Sequence, residues 1–327
     1  MRGLAAVGVM LFHFRYSLPS VAGIRFFESG NMAVDMFFVL SGFVISISYD
    51  HKIAVGLTTM RFARMRLIRL LPMIWVGILI GAALLLAQSV MVEKVLVAII
   101  INGLLLPVPT SPMWPNNAVE WSLFYEMLGN IFLVATYRYF KRRTILVLIG
   151  VSGLALTACT LTAGRIYHES SWFFVLFGSA RVGYSFFLGV FLARTRGQWS
   201  PRLPQVPAKI VLMATAGTLC VPIEGNMRAF SDLFIAAVVC PILVMLGSTA
   251  KSGKLYAAMA AVAGEMSYPL YAIHYPVHGW VDRMYAGLDF KLWVASTLAC
   301  LTLLPVSYLL GRYYDRRMQR YLRTIMG

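Results

Sequence analysis

The chain has 327 residues, 59% of them hydrophobic and 13% charged, and a net charge of +16. A soluble domain holds about 25% charged residues, so with a mean hydropathy of +0.74 the chain reads as a polytopic membrane protein with no polar block long enough for a second, soluble domain. The positive charge does not point to nucleic acid, because the cations fall in short clusters between apolar segments and form neither a single basic face nor a nucleic-acid motif.

The first apolar segment runs from Gly3 to Phe12 and then carries His13 and Arg15. In a helix, eleven residues bring His13 to roughly 20° from Arg2, about 16 Å further along the axis. Polar groups this deep in an apolar helix face a protein interior or a water-filled cavity. A plainer reading makes Arg2 an end anchor and gives His13 a hydrogen bond to a neighbour; the helix alone does not choose between them. The segment could pass for a signal peptide with Val21-Ala22 near a weak cleavage site, but His13 and Arg15 interrupt its apolar core.

Segment 32–49 is long enough to span and holds Asp35 near its start. The stretch 51–71 follows with Lys52, Arg61, Arg64, Arg66 and Arg69, and reads as a cytoplasmic loop with a basic amphipathic helix. The first helix then runs outward and the second inward, which puts His13 and Asp35 at similar depth on antiparallel neighbours. A span is expected at 73–92. Segment 95–106 is short for a span, and Pro107, Pro109, Pro112 and Pro115 follow it, so it reads as re-entrant or interfacial with the proline-rich loop outside. The next span, 118–137, opens with Glu120, Trp121 and Glu126. Further spans are expected near 144–163, 172–193, 209–223, 231–248, 265–285 and 291–311. With ten spans and both termini cytoplasmic, 21 of the 29 cations lie inside; Arg15, Arg25, Lys94, Arg165, Arg228, Arg283 and Lys291 lie outside, and Arg181 lies within a span.

The ionisable groups at membrane depth are the candidates for chemistry: His13, Asp35, Glu120, Glu126, Arg181, Asp232, Glu265, His274 and Asp282. A carboxylate beside an imidazole fixes its tautomer and raises its basicity, so Asp35 next to His13 would make a general base; a purely structural buried pair has the same residues. Arg66 and Arg69, three apart, share a helix face suited to phosphate, although the residues alone favour a positive-inside anchor for lipid headgroups. His274 stands between Pro269 and Pro276, which interrupt helix hydrogen bonding and can open a polar cavity. Cys159, Cys220, Cys240 and Cys300 sit singly and read as packing residues, and no spacing suggests a metal. The chain has no phosphate-binding glycine loop, no G-x-S-x-G elbow, and no histidine followed five residues on by aspartate.

Five motifs in order resemble the integral-membrane acyltransferase-3 family: Arg2 through His13 (arginine, ten residues, histidine); Asp35-Met36-Phe37-Phe38-Val39-Leu40-Ser41-Gly42-Phe43; Arg66-Leu67-Ile68-Arg69-Leu70-Leu71-Pro72, with Met65 where another arginine is common; Trp121-Ser122-Leu123-Phe124-Tyr125-Glu126; and Ser267-Tyr268-Pro269-Leu270-Tyr271-Ala272-Ile273-His274-Tyr275-Pro276, with proline at 269 in place of a small polar residue. The resemblance implies a cytoplasmic acyl-CoA donor, most simply acetyl-CoA, as co-substrate with no bound cofactor, and an acceptor hydroxyl on an exported or cell-surface glycan.

The resulting expectation is an all-α membrane protein forming one domain over 1–327, with about ten transmembrane helices and one re-entrant or interfacial segment, in a bacterial inner membrane. His13 serves as general base or carries the acyl group transiently, Asp35 orients it, and Glu126 contacts the acceptor or the histidine. Arg2, Arg66 and Arg69 hold the donor, and Trp121, Ser122 and His274 belong to the acceptor site or channel. Rival readings are a proton-coupled secondary transporter, against which the lack of an internal repeat counts, and a non-catalytic membrane subunit. Acceptor, acyl length and oligomeric state are not encoded in any of these motifs.

Overall fold

A computed structural model describes residues 1–18, 26–166, 172–223 and 225–326; Val21, Ala22 and Arg25 lie outside the described residues. The described chain is helical: α1 (Arg2–Phe14), α2 (Ala33–Ala54), α3 (Thr59–Ala87), α4 (Val92–Gly103), α5 (Glu120–Ala135), α6 (Arg142–Ala163), α7 (Trp172–Arg194), α8 (Arg196–Trp199), α9 (Ala208–Cys220), α10 (Arg228–Phe234), α11 (Cys240–Thr249), α12 (Lys254–Tyr285), α13 (Asp289–Leu309) and α14 (Arg316–Met326). No strand occurs among the described residues. Six stretches are long and apolar enough to cross a membrane, and α1 and α9 are shorter apolar helices.

The basic stretch and the span expected after it form one helix. α3 begins where the Thr58 side chain accepts from the Arg61 amide at 3.3 Å and runs through Pro72. It ends at Ala87, five residues before the expected boundary, because Ser89 takes a positive φ of 62° and turns the chain into α4. The 12-residue α4 returns along α3 until Gly103 meets the Trp75 ring. Asn102 then donates to the Leu106 carbonyl at 3.0 Å and the Met113 carbonyl at 3.2 Å, which folds the proline-rich loop back on the end of α4.

Helix α12 is likewise longer than expected and passes unbroken through Pro269 and Pro276. A proline has no amide hydrogen, so Pro276 leaves the carbonyl four residues earlier without its helical donor. That carbonyl belongs to Ala272, and the Asn117 side-chain amide donates to it at 2.8 Å. The expected span 231–248 is α10 and α11 joined by a π-helical turn, Ile235–Val239, and α9 stops at Cys220, ahead of Pro222.

Close packing fixes the remaining geometry. Gly42 of α2 faces the Phe186 carbonyl of α7, and Gly189 of α7 faces the Val39 carbonyl of α2; a Cβ at either position would overlap backbone. Small residues at such a crossing let helix backbones meet without lipid between them. One apolar cluster joins α2, α5 and α7 around Phe38, Trp121 and Phe186. A second joins α1 to α3, α12 and α13 through Met10, Met73, Leu270 and Cys300. Helix α1 contributes Ala5 and Val9 to the first and Ala6 and Met10 to the second, so it stands between them.

Candidate active site

Three cavities follow α1 from one end to the other. The first is a vestibule of about 960 Å³ walled by Lys52, Arg61, Arg64, Arg66 and Arg69, with Arg2, Gln319 and Arg323. No aspartate or glutamate is among its lining residues. The second is a chamber of about 70 Å³ that shares Arg2, Arg66 and Arg69 with the vestibule and is otherwise bounded by Val34, Phe37, Phe38, Leu123 and Tyr271, among others. The third, of about 370 Å³, shares Val34 and Tyr271 with the chamber and holds His13, Trp121, Arg181 and Tyr275. The expected common face of Arg2 and His13 is therefore the face that lines this series of cavities.

At the inner side of the chamber, Glu126 accepts from Arg66 at 2.7 Å and from the Ser41 hydroxyl at 2.6 Å. This carboxylate, expected to contact the acceptor or His13, lines the chamber beside Arg66 and is not among the lining residues of the third cavity. Its partner Arg66 keeps Nε buried without a hydrogen-bond acceptor. At the far side of the chamber, the Ser122 and Tyr271 hydroxyls lie 2.6 Å apart, and Tyr271 also donates to the Val119 carbonyl at 3.3 Å. This buried bond ties α5 to α12 where the chamber and the outer cavity meet.

Asp35 was expected to orient His13. It is fully buried and makes a two-pronged ion pair with Arg181, Nη2 to Oδ2 at 2.5 Å and Nε to Oδ1 at 3.3 Å, supplemented by the Ser185 hydroxyl at 3.3 Å. Arg181 in turn lies over the Trp121 ring, 5.1 Å from its centre. A charge at membrane depth is retained where it is paired and hydrogen-bonded, and α7 supplies that partner through Arg181 and Ser185.

The imidazole of His13 has aromatic company from α12: the His274 ring lies 5.2 Å away between centres and the Tyr275 ring 4.9 Å away, edge-on. His274 is fully buried. Its Nδ1 lies 3.0 Å from the Leu270 carbonyl and 2.9 Å from that of Tyr271. Carbonyl oxygens only accept, so Nδ1 carries the proton and Nε2 is left as a lone pair. That Nε2 is buried with no hydrogen-bond partner.

The structure thus gathers Arg2, Arg66, Arg69, Glu126 and Ser122 around the chamber, and His13 and Trp121 around the outer cavity, with His274 packed against His13. Sequence reading named Arg181 only as an ionisable candidate at membrane depth and Tyr271 only within a motif, and gave no role to Gln319 and Arg323. Arg181 was visible as the one cation inside a span. Gln319 and Arg323 sit in a cation cluster read only as a positive-inside signal, although positions 316, 319 and 323 share a helix face. Among the described residues no group of three or more His, Cys, Asp and Glu is placed to hold a metal.

A family model described as an acyltransferase domain matches residues 1–312. No curated protein and no solved structure matches the chain.

Proposed function

Because the chain belongs to the acyltransferase-3 family of membrane acyltransferases, we propose that it moves an acyl group, most simply acetyl, from cytoplasmic acyl-CoA to a hydroxyl of an exported or cell-surface glycan. One observation carries this reading: a cation-lined vestibule without carboxylates leads through Arg2, Arg66 and Arg69 into a small, largely apolar chamber, and that chamber shares Val34 and Tyr271 with the cavity of His13. A polyphosphorylated donor suits the vestibule, because guanidinium groups bind phosphate oxygens in pairs. An acyl group suits the narrow chamber, where Val34, Phe37, Phe38, Leu70 and Leu123 offer it apolar walls and closure around a thioester would protect it from hydrolysis. A neutral hydroxyl suits the outer cavity.

His13 then accepts the proton of the acceptor hydroxyl as its oxygen attacks the thioester carbonyl. The carbon–sulfur bond breaks, the sulfur leaves as thiolate and the thiolate takes up a proton. The part first expected of Asp35 falls to His274: its Nε2 lone pair, fixed by the Nδ1 bonds to backbone, can accept an N–H from His13 and leave the other His13 nitrogen as base. Asp35 acts one step further out, holding Arg181 against Trp121 at the wall of the outer cavity. Glu126 holds Arg66 at the inner mouth of the chamber.

The topology that accompanies this reading has ten spans with both termini cytoplasmic, in a bacterial inner membrane: the six long stretches together with α1, α5, α9 and α12, α4 being re-entrant. Purified protein supplied with radiolabelled acetyl-CoA tests the function. Acyl transfer to a glycan hydroxyl, or slow donor hydrolysis without an acceptor, supports the enzyme reading; substrate flux across vesicles with neither reaction supports the transporter.

A further inference from the structure

Helix α14 lies beyond the residues matched by the family model, which end at 312. Its sequence, RRMQRYLRTIM, has no buried residue, yet it is not loose on the surface. Arg316 pairs with Glu265 of α12. Gln319 donates to Asp315 at 2.8 Å and reaches the Arg69 carbonyl of α3 at 3.5 Å. Arg316, Gln319 and Arg323 fall on one face because they are spaced three and four apart. The outer two turns of this face, Gln319 and Arg323, line the vestibule together with Arg61, Arg64 and Arg69.

We propose that α14 is a wall of the donor site and that Arg323 is a phosphate-binding residue for the donor, a role that rests on the reading of the vestibule as the acyl-CoA site. The charge balance of the cavity argues for it. Seven cations (Arg2, Lys52, Arg61, Arg64, Arg66, Arg69 and Arg323) line it with no carboxylate, a field that suits a ligand bearing several phosphates. Among them Arg323 alone comes from outside the first three helices, so α14 brings a contact from the opposite end of the chain. The shared chemistry is phosphate recognition, which a lipid headgroup also offers. Position favours the soluble donor: the Arg323 face is turned to the cavity, whereas Tyr321 and Ile325 are exposed elsewhere on the helix.

The test is acetyl-CoA binding to the full-length protein in nanodiscs, by calorimetry, in neutral phosphatidylcholine and in a phosphatidylcholine–phosphatidylglycerol mixture. Arg323→Ala should weaken binding roughly 3- to 10-fold in both lipids, the range for an exposed charge-assisted contact. Arg323→Glu should weaken it more, and the loss should shrink at high salt. Arg320→Ala, which is not a vestibule residue, should leave affinity within about 2-fold. Arg323→Gln, matched to wild type in yield and monodispersity, guards against a folding effect and should behave as the alanine variant. Unchanged acetyl-CoA affinity in every Arg323 variant, while Arg69→Ala still weakens binding, overturns the role of α14 and leaves the donor-site reading standing. A loss seen only in neutral or only in anionic lipid also overturns it, in favour of a headgroup anchor. Wild-type protein that binds no acetyl-CoA removes the donor-site reading and this one with it.

Discussion

Arginines line both the inner vestibule and the outer cavity, but the two sets keep different company. In the outer cavity Arg15 pairs with Glu28 at 2.8 Å, Arg228 pairs with Asp232 at 3.0 Å and with Glu28 at 3.7 Å, and Arg181 pairs with Asp35 at 2.5 Å. In the vestibule the lining residues include seven cations and no acid, and only Arg66, at the inner end, has a carboxylate in the adjoining chamber. The same side chain therefore does two jobs. Outside, its charge is neutralised by the fold and shapes a wall around His13. Inside, the charge is left for a ligand to neutralise. Such a contrast suits the proposed reaction, with an anionic donor at one end and a neutral hydroxyl at the other.

The sharpest way to break this comparison is at His13, the histidine that lines the outer cavity. His13→Gln keeps a hydrogen-bonding side chain that does not titrate near neutrality, and should lower transfer by about 10²- to 10⁴-fold, the usual worth of general-base help. Donor affinity should be unchanged, since the vestibule is untouched. His274→Gln should lower kcat with the donor KM unaltered, because it acts through His13. A well-folded His13→Gln protein that acylates at the wild-type rate would leave the outer cavity with no base.

Next in size is the pair that holds the outer wall. Arg181→Ala strands the Asp35 carboxylate in a fully buried site, and removal of one partner of a buried pair costs on the order of 3–5 kcal/mol. The expected result is a large fall in thermal stability in detergent. The double variant Asp35→Leu with Arg181→Met should recover most of it, because apolar replacement of a whole buried pair is close to neutral. If Arg181→Ala melts with wild type, the outer arginines are not structural and the contrast between the two ends fails.

The inner end responds in the opposite sense. Arg66→Ala and Arg69→Ala should each weaken acyl-CoA binding by about 1.5–3 kcal/mol, the loss of a charge-assisted phosphate contact. Both losses should lessen with salt; Arg69→Ala should keep the fold, whereas Arg66→Ala also removes the partner of Glu126 and should lower stability as well. Equilibrium binding at two ionic strengths checks this; donor affinity indifferent to both substitutions would reassign the pair to lipid headgroups.

The parts of this design legible in the sequence are those written within one helix. The eleven-residue spacing of Arg2 and His13 set their common face, and the three-residue spacing of Arg66 and Arg69 set theirs, because helix geometry alone decides both. The parts that were not legible are pairings between distant segments. Asp35 finds Arg181, 146 residues away, and nothing local to segment 32–49 distinguishes that partner from His13, which the topology puts at the same depth. His274 reaches His13 only because α12 packs along α1. The prolines make the same point: Pro269 and Pro276 were expected to interrupt hydrogen bonding inside the span 265–285, but the partner that serves the carbonyl stranded by Pro276 is Asn117, 155 residues away from it in sequence. Hydropathy also missed the starts of α3 and α12, which begin at Thr59 and Lys254, ahead of the apolar stretches expected from 73 and 265.

The finest expected effect lies between the two ends, at the hydroxyl bridge where the chamber meets the outer cavity. Tyr271 and Ser122 are 2.6 Å apart, Ser122 lines the chamber, and Tyr271 lines both spaces. One buried hydrogen bond contributes about 0.5–1.5 kcal/mol, so Tyr271→Phe and Ser122→Ala should each lower stability by that amount and slow transfer only several-fold. The two hydroxyls share this bond and each also reaches the Val119 carbonyl, Ser122 at 3.1 Å and Tyr271 at 3.3 Å, so the double variant should cost more than either single variant but less than their sum; losses that add in full would show no coupling across the bond. Donor affinity should not move in any of the three proteins, since neither hydroxyl lines the vestibule. If donor affinity falls in step with transfer, the Tyr271–Ser122 pair belongs to the donor site rather than to the boundary with the outer cavity, and the division of labour between the two ends would have to be redrawn around it.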